Sequence, residues 1–213
     1  YRVGFVLDDL MNEVAELLAT VLRDSLGVLP ICKIAYQSLF QEITGLDPLM
    51  FCRDAYRAFV ERQGFVEADR LCEDDHALWL DFLFTHCVQT AMLPRTLYLL
   101  HGYPAIQPSL ARIHPDDPRI AERFEVFIDG IELGNGFFEL NDALEQEARF
   151  EREIAYRQAH ELPAVAKDRR FLDAIAHGLP DCSGVALGLD RLSMLALGAD
   201  SIGEVLAFPH PYN

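Results

Sequence analysis

Apolar residues recur three and four apart at Leu7, Leu10, Met11, Val14, Leu17, Leu18, Val21 and Leu22. That spacing lines one face of a helix and predicts one from Leu7 to Leu26. Asp8 and Asp9 suit its first turn and Gly27 its stop. Further helices are predicted at Ser38–Thr44, Arg53–Arg62 and Asp74–Met92, with Asp47-Pro48 breaking the first. The pattern then changes. Thr96–Leu100 is a short strand, and the prolines and glycine of His101–Pro108 predict a loop. Arg123–Ile128 and Ile131–Phe137 are strands, and Asp129-Gly130 between them is a two-residue hairpin signal. Asn141-Asp142 caps a helix running to about His160. Phe171–His177 is helical, Cys182–Leu187 is a strand, Gly188 opens a helix to Leu197, and Ser201–Leu206 is a last helical turn. Helices first, then a hairpin, then a closing strand-helix unit predict α+β with an antiparallel sheet.

The chain has 213 residues and a formal net charge of −16. Such a balance argues against a broad phosphate-binding surface, which needs an excess of Lys and Arg. The five cysteines form no CxxC and predict reduced, packed side chains in a cytoplasmic protein. No apolar run reaches membrane-spanning length. The apolar, strand-like start at Tyr1 without an initiator Met suggests that a segment precedes it.

The hairpin carries the first candidate chemistry. Folding at Asp129-Gly130 brings Glu132 opposite residue 127 and Glu125 opposite a residue near 134. The two acids become diagonal neighbours on one face, within reach of one cation. Two hard oxygen donors suit a magnesium-nucleotide site, and two solvated acids are the plainer alternative. In Gly134-Asn-Gly-Phe-Phe-Glu139, the residues Asn135, Phe137 and Glu139 alternate onto one face. An amide, an apolar plate and a carboxylate can hold an ammonium-bearing aliphatic chain; a bulged edge strand is the alternative. Gly184-Val-Ala-Leu-Gly188-Leu-Asp190-Arg191 runs a strand straight into a helix. A cation in a helix's first turn is disfavoured without an anion nearby, either a phosphate or a local acid.

Phe124-Glu125, Gly130 through Phe137, Glu139-Leu-Asn-Asp142 and Gly184 through Leu192 together resemble the C-terminal half of a class II aminoacyl-tRNA synthetase core of the lysyl type. Ser201 through Pro209 is similar to that family's ending. Pro180 through Gly188, Met194 through Gly198, and Tyr1-Arg2 with Leu10-Met-Asn-Glu-Val14 resemble a short branch of the family that modifies elongation factor P instead of charging a tRNA. The resemblance is strongest from Ser109 to Phe208 and weaker through roughly 30–100, a more variable helical insertion.

The resemblance implies one class II synthetase-like catalytic domain over 1–213, incomplete at its N-terminus. It implies ATP and magnesium, with Glu125 and Glu132 as metal-holding acids and Leu133, Gly188 and Arg191 at the nucleotide. Tyr1 and Glu139 would contact the substrate's side-chain amine, with Asn135 and Phe137 further along the pocket. Ala186 departs from the glycine usual in lysyl-tRNA synthetases. Its methyl would crowd the α-amine of lysine and accommodate a β-amine, a discrimination worth about 1–3 kcal/mol. The implied reaction activates lysine or (R)-β-lysine as an adenylate and passes it to a lysine of elongation factor P, in a homodimer. The family's first motif and most of its second should precede Tyr1, so the chain alone is expected not to form adenylate. A lysyl-tRNA synthetase core and a non-catalytic sensor are the alternative readings.

Overall fold

The structure is a computed structural model that describes residues 1–209. Its centre is a six-stranded sheet in the order β1-β6-β5-β4-β3-β2. The strands are β1 (Arg2–Val3), β2 (Ile31–Ala35), β3 (Leu97–Pro104), β4 (Ile120–Ile128), β5 (Ile131–Phe138) and β6 (Cys182–Leu187). Neighbours run antiparallel except β2 and β3, which are parallel, so the expected antiparallel sheet is in fact mixed. The hairpin forms as the sequence predicts. Asp129 and Gly130 both take positive φ, 51° and 72°, the backbone that a tight two-residue turn requires.

Helices cover both faces. On the back, α1 (Leu7–Val21) and α9 (Leu189–Leu197) pack on Leu97, Leu99, Phe124, Val126 and Ile128. On the front, at the β2–β3 end, α3 (Tyr36–Thr44), α4 (Arg53–Gln63), α5 (Ala68–Cys72) and α6 (His76–Leu83) pack on Tyr98, Leu100, Tyr103 and Phe127. The odd and even residues of β3 and β4 therefore serve different layers, as strand alternation demands. Trp79, Leu80 and Leu83 of α6 are fully buried in the front layer. Beyond β5 lie α7 (Ala143–Ala159) and α8 (Arg169–Gly178). The carboxylate of Asp142 caps α7 by accepting from the Leu144 and Glu145 amides at 2.9 and 3.1 Å.

Several elements differ from expectation. The first helix stops at Val21, and α2 (Arg23–Leu26) follows as a separate turn. The helix expected over Asp74–Met92 becomes α6, a π turn at Phe84–Val88 and a 3₁₀ turn at Gln89–Ala91. The wider turn seats Val88 in the front core and sets Phe84 against Phe127, ring centroids 5.6 Å apart. The expected loop after Leu100 is strand as far as Pro104. Its ladder shifts register between His101 and Tyr103, where Gly102 takes φ 70°. Strand β2 and helix α5 lack strong periodic signals and go unforeseen. Among the described residues, no helix is long and apolar enough to cross a membrane. The five cysteines are unpaired.

Candidate active site

The middle of the front face is left open where β4, β5 and β6 run side by side. Register fixes who faces whom: Glu125 lies opposite Asn135, Phe127 opposite Glu132, Arg123 opposite Phe137, Phe137 opposite Gly184, and Asn135 opposite Ala186. Directly opposed residues share a face. Glu125, Glu132, Asn135, Phe137 and Ala186 therefore project to one side, as the hairpin reading requires for the two acids. Glu125 meets residue 135 instead of 134 because the ladder slips by one residue between Val126 and Phe127. Leu133 is the extra residue. Its side chain is buried in the back core, so only its backbone could lie beside a nucleotide. Its carbonyl accepts from the Gly188 amide across the ladder at 2.8 Å.

Glu125 is only 7% exposed and its oxygens are occupied. Tyr103 donates to Oε2 at 2.6 Å, and Asn135 Nδ2 lies 3.3 Å from Oε1, which is also ion-paired with Arg123. Arg123 is fixed in turn. Its Nη1 donates to the Gln107 carbonyl at 2.9 Å, and its guanidinium lies 4.5 Å from the Tyr103 ring centre. A buried carboxylate needs partners in place of solvent, and Glu125 has three. The same surroundings push the Tyr103 hydroxyl well above its ordinary range, first through burial and then through Glu125. Sequence reasoning missed Arg123, although i, i+2 alternation places it on the face of Glu125. It missed Tyr103 because that residue stood in an expected loop.

Glu132 is the open acid. Burial and the nearby Glu125 raise its carboxyl pKa, while Arg191 and Arg123 act against that rise. Arg191, in the first turn of α9, donates to the Glu132 carbonyl at 2.8 Å and lies 3.9 Å from its carboxylate. Its side chain is about half exposed, so the charge is available to a ligand. Gly188 caps α9, and its missing Cβ leaves the space that the Arg191 stem flanks at 3.6 Å.

The amine end is built around Gly184. A Cβ there would lie 2.7 Å from the Tyr1 ring and against the Glu139 carboxylate. Tyr1 and Glu139 thus converge over a bare stretch of β6, where a side chain would displace them. Glu139 is 8% exposed with no hydrogen bond or ion pair to its carboxylate among the described residues. Burial raises its pKa to about 7. A carboxylate held this way is suited to a cation that brings its own charge. Sequence reasoning did not single out Gly184. The signal available was a glycine directly opposite Phe137 in the ladder.

Among the described residues, no group of three or more His, Cys, Asp or Glu stands ready to hold a metal ion. Magnesium is commonly held by one or two carboxylates together with substrate phosphates and water. Glu132 fits that role as it stands. Glu125 would first have to exchange its arginine.

Two acids, a guanidinium at a helix start and a further buried acid beside a bare glycine thus lie together along β4, β5 and β6. The chain belongs to the class II tRNA synthetase family: the family model described as tRNA synthetases class II (D, K and N) matches residues 8–211. It is similar to proteins named elongation factor P--(R)-beta-lysine ligase. One from Haemophilus ducreyi is 43% identical over 210 residues, one from Klebsiella pneumoniae 44% over 209, and one from Haemophilus influenzae 41% over 208. Each match covers 98% of this chain and 62% of the relative, so the chain spans somewhat under two thirds of their length.

Proposed function

We propose that this chain carries the nucleotide and amine pockets of a cytoplasmic, AMP-forming ligase that joins (R)-β-lysine, or lysine, to a lysine of elongation factor P. The observation that carries this reading is the shared face. Glu132 and Arg191 stand at one end, Glu139 and Tyr1 at the other, and Asn135, Phe137 and Ala186 lie between. Residues 1–213 then form part of one catalytic domain, which acts as a homodimer.

In the first step, the amino acid's carboxylate oxygen attacks the α-phosphorus of ATP. The bond to the β-phosphate bridging oxygen breaks and pyrophosphate leaves. In the second, an unprotonated lysine nitrogen of the acceptor attacks the acyl carbon and AMP leaves, giving an amide. Arg191 holds phosphate charge through its planar guanidinium. Glu139 pairs with the substrate ammonium, Phe137 covers the methylenes, and Asn135 holds a polar end. Ala186 narrows the floor beside Asn135. Arg123 and Tyr103 hold Glu125 in place. Magnesium, when bound at Glu132, neutralises developing phosphate charge.

The test uses full-length protein. Pyrophosphate exchange should be faster with (R)-β-lysine than with lysine, and label should pass to elongation factor P and not to tRNA. Transfer to tRNA would instead establish a synthetase, and nucleotide binding without exchange would establish a sensor.

A further inference from the structure

Beside the candidate site lies a groove of about 880 Å³ between α6, α7 and the β3–β4 connection. Its apolar surface includes Leu78, Ile106 and Phe150, with Leu78 40% and Ile106 51% exposed. Three carboxylates also line it: Asp75, Asp81 and Glu153. Arg149 and Arg152 both pair with Glu145, and Glu153 pairs with Arg157, which leaves Asp75 and Asp81 as the lining carboxylates without an ionic partner among the described residues.

The α7 wall is chemically incomplete. Gln146 and Arg149 are more than nine-tenths buried, yet Gln146 Oε1 and Arg149 Nη2 have no hydrogen-bond partner among the described residues. The rest of Arg149 is fixed, with Nε on Glu145 and Nη1 on the carbonyls of Ser109 and Ala111. Both atoms are closed to the surface. The groove also adjoins the site. Gln107 donates to Asp81 at 2.6 Å on the groove side, and its carbonyl accepts from Arg123 on the site side.

We propose that this groove docks the acceptor protein. An extended, lysine-bearing segment would lay an apolar side chain over Leu78 and Ile106 and turn its basic groups toward Asp75, Asp81 and Glu153. The proposal rests on the ligase reading above and adds the place of the second substrate.

The test introduces Ile106→Lys and Glu153→Lys, both at exposed positions, into full-length protein. Pyrophosphate exchange and hydroxylamine capture of the adenylate should stay within about twofold of wild type. KM for the acceptor protein should rise about tenfold or more in each variant, and acceptor binding by fluorescence anisotropy should weaken in parallel. An unchanged acceptor KM and affinity would overturn the proposal. So would an equal fall in hydroxylamine capture, which would make the groove part of the activating site. A lowered melting temperature with unchanged acceptor affinity would mean that the rest of the protein covers the groove, and would also overturn it. Wild-type protein that exchanges no pyrophosphate with either lysine isomer would refute the ligase reading instead, and the anisotropy measurement would still judge the groove.

Discussion

Glu139 offers a test of the amine pocket that needs no catalysis. Its carboxyl is raised from 4.5 to about 7 by burial, so the empty pocket favours the uncharged form. The sign follows from linkage: this group's contribution to stability is fully present below about 4.5 and is lost as pH rises through about 7. An ammonium ligand needs the charged form. With a pKa of about 7, roughly one tenth of the pockets are ionised at about pH 6 and nine tenths at about pH 8. The affinity of full-length protein for lysine or (R)-β-lysine should therefore rise about tenfold across that interval. The ligand's side-chain amine stays protonated throughout, so it does not contribute. Calorimetry in two buffers of different ionisation heat should show close to one proton released per ligand at about pH 6 and almost none at about pH 8. Glu139→Gln should bind weakly, with a flat profile and no proton release. A wild-type affinity that does not change between these pH values would mean that Glu139 is already charged without ligand, and would refute the burial argument.

Gly136 lies against the back core, where a methyl would meet the Phe124 ring and stand 2.9 Å from the Gly184 carbonyl. Gly136→Ala should cost about 1–3 kcal/mol in chemical denaturation, and a loss under about 0.5 would show that the ring yields freely. Arg191→Ala in full-length protein should weaken ATP about tenfold or more while lysine affinity stays within about twofold; an equal loss of both would make Arg191 structural. Arg123→Met strands the buried Glu125 charge and should cost about 3–5 kcal/mol, most of it regained by adding Glu125→Gln. A double variant no better than the single would show that the cost is lost packing.

What could be read in the chain was local. Asp129-Gly130 encodes its turn, Asp142 its cap, and Gly188 the passage from strand to helix, because each acts through its immediate neighbours. The pairing of Glu125 and Glu132 was also legible, since a two-residue turn dictates register. The parallel edge β2 was not. Only Cys32 and Ile34 of its five residues pack on the front core, too short a pattern to stand out. Tyr103 was hidden by the glycine and prolines around it, and its role depends on a strand more than twenty residues away in sequence. The groove at α7 was out of reach, because it depends on two helices and a connection that only tertiary packing brings together.

The slip at Leu133 explains how one strand sets Glu132 on the same face as Asn135 and Phe137. In strict alternation, Glu132 would share a face with Gly134, and Asn135, Phe137 and Glu139 would take the other. The front could then present Glu132 or the set Asn135, Phe137 and Glu139, but not both. The bulge spends two consecutive residues, Leu133 and Gly134, on the back layer. Leu133 fills the core there, and Gly134 has no room for a side chain against Leu187 and the Ala186 carbonyl. Alternation then resumes with Asn135 on the front. Bulges are common beside active sites because they re-aim a side chain without breaking the strand. Here the re-aimed group is Glu132, brought into line with the pocket that ends at Glu139. On the proposed reading, the distance between phosphate and amine ends is thereby set by strand geometry, at about 3.3 Å per residue, and not by a mobile loop.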